Sequence, residues 1–393
     1  MLQRLMEERW SMRLAERREQ SLYRRHRVTD SPQAPRMGID GKSLDVFCSN
    51  DYLGLANDTR IATALKQGVD RWGSGSGAAH LVNGHSRAHQ ALEEALADWL
   101  GRERALLFST GYMANLGIIT GLLERGDQLF EDKLNHASLI DAGLLSAAML
   151  HRYRHADMDS LKQQLDAHPD GMRMVVTDGV FSMDGDMALL VEMAAICSDG
   201  DALLVIDDAH GLGVLGSEGR GSVDQAGLSQ REVPVVMGTL GKAFGVAGAF
   251  VAGSGVLIDT LIQQARSYIY TTAMPAALAE AARASLAIVR NESWRRDRLQ
   301  SLIERFRAGA GEIGLTLMPS RTPIQPVLIG EAGAAVAWSR RLEELGFLVT
   351  AIRPPTVPAG QARLRVTFSA SHDEEQVDRL LDALSILQRE FAA

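Results

Sequence analysis

The chain has 393 residues, 46% hydrophobic and 23% charged, which suits two packed domains around a large core. Its 41 basic against 49 acidic residues leave a net charge of −8, a balance that argues against nucleic acid or an anionic membrane as partner. The two cysteines, Cys48 and Cys197, have neither the density of a disulfide scaffold nor metal-ligand spacing, so reduced thiols, no metal and a cytoplasmic setting are expected.

Residues 1–43 form an amino-terminal helical segment. It lacks a continuous apolar signal core, and Glu7, Glu8, Glu16 and Glu19 argue against a transit peptide. Leu2, Leu5, Met6, Trp10 and Met12 to Leu14 recur at roughly helical spacing, so this helix is expected to bury that stripe against something larger. The basic run Arg24 to Arg27 reads as a solvated face or as a contact for an anionic substrate.

From about residue 44, short runs rich in Val, Ile, Leu and Phe alternate with helical patterns, as parallel strands joined by crossover helices do. The predicted strands are RALLFST, DQLFED, MRMVVTD, ALLVIDD and VPVVMGT; HQALEEALADWLG, YMANLGIITGLLE and LVEMAAICSD are predicted helices. This gives a large α/β domain over 44–290. Long charged helices near 276–313, then QPVLIG, GFLVTAI and ARLRVTFSA, predict a smaller α+β domain over 291–393. No apolar run is long enough to cross a bilayer.

In GTLGKAFGVAG, Gly238 to Gly248, one lysine stands among glycines and apolar residues. A phosphate-binding Walker loop is excluded, because Val236 and Ala243 hold the places of its first Gly and its Ser or Thr. Apolar surroundings disfavour an ammonium, so Lys242 is either a candidate nucleophile or a turn lysine pointing to solvent.

Open parallel sheets bind ligands beyond the carboxyl ends of their strands. Ser109, Gly111 and Tyr112, His136, Ser182, Asp207 and His210, and Thr239 with Lys242 all fall there. Asp207 can cap the next segment or pair with a protonated pyridine nitrogen; His136 can be a core histidine or a flat ring over a flat cofactor. STGYMAN offers backbone N–H groups for a phosphate. GLGVLG, Gly211 to Gly216, mimics a dinucleotide fingerprint, but DDAH separates it from the strand and no helix follows. HSRAH has metal-friendly spacing without a third ligand and reads as a helix start.

FSTGYMAN, NHASLIDA, VFSMDGDMALL, VIDDAHGLGVLG and GTLGKAFG, taken in order, resemble the α-oxoamine synthase family of fold-type I pyridoxal-phosphate enzymes over nearly the whole chain. The resemblance implies a large, mostly parallel sheet domain with a smaller carboxyl-terminal α+β domain, in a cytoplasmic homodimer with shared active sites. It implies an acyltransferase in which Lys242 holds pyridoxal phosphate covalently and Asp207 pairs with its ring nitrogen. His136 would stack on the ring and face the substrate. His210 and Ser182 would meet the ring hydroxyl, Gly111, Tyr112 and Thr239 would bind cofactor and phosphate, and Thr272 would reach the phosphate from the other subunit.

SNDYLGLA, IYTTAMP and TAIRPPTVPAGQARLRVT resemble the branch of that family that serves biotin synthesis. That branch joins L-alanine to a pimeloyl thioester, carried on coenzyme A or acyl carrier protein, with loss of carbon dioxide. The resemblance makes Arg353 the anchor of the alanine carboxylate, Thr356 a substrate contact and Arg24 the partner of the distal pimeloyl carboxylate. Glycine-using branches that make aminolevulinate or aminoketobutyrate are the second reading. His80 counts against them, since those relatives commonly carry an arginine nearby.

Overall fold

The computed structural model describes residues 2–20 and 22–392. Its centre is a seven-stranded sheet built from β3 (Arg104–Phe108), β4 (Gln128–Asp132), β5 (Met149–Tyr153), β6 (Arg173–Asp178), β7 (Ala202–Asp207), β8 (Val235–Thr239) and β9 (Ala249–Gly253). The spatial order is β3-β9-β8-β7-β6-β4-β5, parallel from β8 through β5 and antiparallel where β9 meets β8 and β3.

Period-two alternation sends each strand's side chains into two separate cores, as required where helices cover both faces. Leu106, Phe108, Val205, Val235 and Met237 join one core, with Ile118 and Ile119 of the helix Gly111–Leu122. Ala105, Leu107, Leu204, Ile206 and Val236 join the other, with Leu92 and Leu96 of the helix Arg87–Leu100. In that second core Trp99 meets Phe244 edge-on at 5.6 Å; truncating either ring to alanine would cost about 3–5 kcal/mol.

Two small sheets complete the fold. β10 (Ile324–Gly330), β12 (Thr350–Ile352) and β13 (Ala362–Thr367) form an antiparallel sheet in the order β10-β13-β12. β1 (Arg36–Ile39) and β2 (Lys42–Val46) pair with each other, and β2 pairs in parallel with β11 (Phe347–Leu348). The stretch GFLVTAI therefore serves two sheets, breaking at the buried Val349. Residue 43 falls inside β2, so the amino-terminal segment is stitched into the small carboxyl-terminal region.

The amino-terminal helix Leu2–Glu19 forms, but its expected buried stripe is exposed in the single chain. Leu5 is 55%, Trp10 54% and Met12 62% accessible, while the Leu2 side chain lies outside the described residues. Helical spacing was legible, but the charged residues between the apolar ones leave no wide apolar face to dock. Among the described residues no helix is long and apolar enough to cross a membrane.

Candidate active site

The turn after β8 presents Lys242. Leu240 N–H donates to Gly248 O and Val246 N–H to Leu240 O, each at 2.8 Å, which closes the loop. Gly245 has φ +64°, and a Cβ there would lie 2.3 Å from Ala56 N, so glycine is needed to fold this turn against the chain. Thr239 Oγ1 receives Gly241 N–H and donates to Gly248 O, both at 3.2 Å, which holds the turn's neck.

Lys242 lines a cavity of about 180 Å³ with Gly111, Tyr112, His136, Asp207, His210 and Thr239. Seven expected residues from four strand ends thus meet at one place. Asn115, Ser138 and Asp178 stand there too, and sequence reasoning gave them no role. Asn115 was the most legible of the three, since it follows Gly111 by one helical turn and shares its face.

Lys242 Nζ lies 2.8 Å from His210 Nε2. Burial pulls the lysine pKa below its ordinary value; the carboxylates of Asp207 and Asp178 oppose this and the Arg365 charge adds to it. Burial also drives His210 well below an ordinary histidine, helped by the Lys242 charge. Asp207 is 4% exposed and accepts hydrogen bonds from Asn115 Nδ2 at 2.7 Å and Ala209 N–H at 3.0 Å.

His136 is held by its backbone and by its ring. Its N–H donates to Asp178 Oδ2 at 2.6 Å, and its Nδ1 stands 2.8 Å from Ser138 Oγ and accepts Ser138 N–H at 3.2 Å. Burial lowers the imidazole pKa against the opposing charge of Asp207, and burial beside Asp207 drives Asp178 far above the carboxylate range.

Other expected residues lie elsewhere. Ser182 sits in the loop 180–187 outside the cavity, and its carbonyl accepts Arg365 Nε at 2.6 Å. Arg363 bonds Asp184 in the same loop, and His155 bridges Asp132 at 3.0 Å and Asp186 at 2.9 Å. Burial works to lower the His155 pKa, but the two carboxylates outweigh it and raise it to about 10. Thr272 is exposed on a segment bridged to Ala79, away from this chain's own Lys242.

Arg353, expected beside the amino-acid substrate, lines instead a second cavity of about 720 Å³ with Arg24, Thr356, Arg13 and Arg17. The arginine whose charge reaches Lys242 and His210 is Arg365, 7% exposed. It stands two residues from Arg363 and on the same face of β13, an alternation visible in ARLRVT. Arg27 is spent on Glu343 and Asp40, and His89 caps its helix by accepting Ser86 N–H at 3.0 Å.

Residues 45–384 match the model of the class I and II aminotransferases. The 8-amino-7-oxononanoate synthase of Thioalkalivibrio sulfidiphilus is 61% identical over 372 residues, covering 94% of this chain and 95% of its own. This chain belongs to the 8-amino-7-oxononanoate synthase family. A solved 8-amino-7-oxononanoate synthase from Francisella tularensis superposes with a TM-score of 0.77 at 34% identity, covering 89% of this chain and 98% of that one. A serine palmitoyltransferase from S. paucimobilis with a bound pyridoxal-phosphate–myriocin aldimine gives a TM-score of 0.92 at 29% identity, covering 97% of both chains.

Fold-type I architecture and pyridoxal phosphate as cofactor follow for an 8-amino-7-oxononanoate synthase family member. The residues present fit that group. Gly111 and Tyr112 N–H open the helix Gly111–Leu122 and donate to no protein acceptor among the described residues, as a phosphate site requires. Asp207 offers a carboxylate in the same cavity as the Lys242 amine, so a ring nitrogen and an aldehyde carbon both have partners.

Proposed function

We propose that this chain condenses L-alanine with a pimeloyl thioester, giving 8-amino-7-oxononanoate, carbon dioxide and the free thiol of the carrier, in the cytoplasmic synthesis of biotin. The observation that carries this reading is the buried Lys242 amine, hydrogen-bonded to His210 and sharing its cavity with Asp207. Pyridoxal phosphate bound there supplies an electron sink for the amino-acid α-carbon.

The chain's own groups do the rest. Lys242 Nζ holds the cofactor and, once released, takes the alanine α-proton; burial shifts it toward the free amine that both roles need. Asp207, fixed by Asn115, keeps the ring nitrogen protonated. The His136 ring, its proton affinity lowered by burial, offers a flat face to cofactor and substrate. Gly111, Tyr112 and Thr239 bind the phosphate side, and Ser182 acts through its loop. Arg365 takes the amino-acid carboxylate in place of Arg353, because it is nearly buried and bonds Asn50, whose partner Tyr52 reaches His210 beside Lys242. Arg24, Arg353 and Thr356 take the distal carboxylate of the acyl chain in their separate cavity.

The working unit is a homodimer in which Thr272 completes the phosphate site of the other subunit; its exposure away from its own Lys242 supports this. Mixing Lys242→Ala with Thr272→Ala protein should restore activity after subunit exchange, and no recovery would refute the sharing. The substrate reading is tested by a panel: alanine with pimeloyl-coenzyme A and with pimeloyl-acyl carrier protein, against glycine with acetyl- or succinyl-coenzyme A. Product mass from the alanine arms is expected; turnover confined to glycine would overturn it.

A further inference from the structure

The hydrogen bonds that end at His210 begin at Arg365, and chemistry fixes their direction. Arg365 Nη2 lies 3.3 Å from Asn50 Oδ1. A guanidinium only donates, so the amide atom facing it is the oxygen. Tyr52 OH stands 3.1 Å from that same oxygen and gives it the phenolic hydrogen. Sending that hydrogen to His210 instead would leave two acceptor oxygens facing each other with no hydrogen between them, at a tyrosine that is 0% exposed.

With its hydrogen spent, the Tyr52 oxygen faces His210 Nδ1 at 2.7 Å as an acceptor. Nδ1 therefore carries a hydrogen. Burial, with the charge of Arg365 nearby, disfavours a second proton on His210. A neutral imidazole has one N–H, so Nε2 presents a lone pair to Lys242 Nζ at 2.8 Å. The other end is compatible: Lys242 Nζ carries N–H hydrogens as amine or as ammonium, and can donate one to that lone pair.

We infer that Asn50 and Tyr52 are positioning residues for this enzyme, fixing His210 as the Nδ1–H tautomer so that an acceptor nitrogen faces Lys242 and the cofactor site. The groups come from three distant stretches of the chain, with Asn50 and Tyr52 before the large sheet begins, His210 after β7 and Arg365 on β13. The assignment does not depend on which amino acid or acyl group binds.

The test is nitrogen NMR of histidine-labelled holoenzyme and apoenzyme, with the His210 signals identified by their absence in His210→Asn. Wild type should show a protonated Nδ1 and an unprotonated Nε2. Asn50→Ala removes the acceptor, frees the Tyr52 hydrogen to turn to His210, and should move the hydrogen to Nε2. Asn50→Asp keeps an acceptor oxygen and should retain the wild-type tautomer. Tyr52→Phe should average the two forms and lower kcat roughly five- to tenfold, as for loss of one hydrogen bond. A wild-type His210 protonated at Nε2 overturns the inference. So does an unchanged tautomer in both Asn50→Ala and Tyr52→Phe, because those residues would then serve packing alone.

Discussion

Around Lys242 the polar groups hold one another: His210 takes the amine, Asn115 and Ala209 take Asp207, and Ser138 takes His136. Around the second cavity Arg13, Arg17, Arg24 and Arg353 form no ion pair among the described residues, and the first three are exposed. One region has its polar groups desolvated and hydrogen-bonded before any ligand arrives, which tunes proton affinity. The other keeps its cations hydrated, so their energy is released only against an incoming anion. Substitutions in the first region should therefore act on turnover, and those in the second on selection.

The comparison breaks first at Lys242. Lys242→Ala should lower kcat by at least about 10²–10⁴, the range for a positioned proton-transfer group, while cofactor is still taken up weakly. Product formation at the wild-type rate would remove this residue from the chemistry. Next, Arg365→Ala should raise the KM for alanine about a hundredfold while Arg353→Ala leaves it nearly unchanged, since a charge-assisted bond contributes about 1.5–3 kcal/mol. Steady-state kinetics with alanine varied decides between them, and the reverse pattern would restore Arg353.

A smaller effect sharpens the other side. Arg24→Ala should lower kcat/KM for pimeloyl thioester about tenfold, with little change for an uncharged acyl thioester of similar length. Equal losses on both substrates would mean that the cavity does not read the distal carboxylate.

The smallest effect is on stability. The folded His155 pKa is raised from about 6.5 to about 10, so its contribution is complete below pH 6.5 and lost as pH rises through about 10. From pH 7 to 10 the wild-type Tm should therefore fall by roughly 2–4 °C more than that of His155→Gln, measured by thermal melts. Parallel curves would show that the bridge to Asp132 and Asp186 contributes nothing in solution.

The buried parallel strands were legible because continuous apolar runs have few other uses; β4, β6, β7 and β8 lie where those runs predicted. Within the large sheet two strands were not, and β1 and β2 went unread where a helical segment was expected. β5, MLHRY, is a half-buried edge strand with polar residues, and β9, AFVAG, is made largely of small ones. In the site, residues that follow a strand end were readable from position alone. Tyr52, Asn115 and Arg365 were not singled out, because Tyr52 meets His210, Asn115 meets Asp207 and Arg365 meets Asn50 only through tertiary packing. Arg353 and Arg365 lie twelve positions apart in one motif, and only the fold puts the first in the second cavity and the second against the Ser182 loop.

The pairing of β2 with β11 joins Asp45 to Phe347 across roughly 300 residues. On a ribosome adding about 5–20 residues per second, β2 and its partner β1 must wait some 15 to 60 s for that neighbour to emerge. Through that interval a short strand edge stands open while the large sheet already has most of its sequence. The nascent chain is thus obliged to finish this sheet after the strands of the large one have all emerged. Agents that shield exposed strand edges should raise the yield of folded enzyme more than agents that speed collapse of the main core.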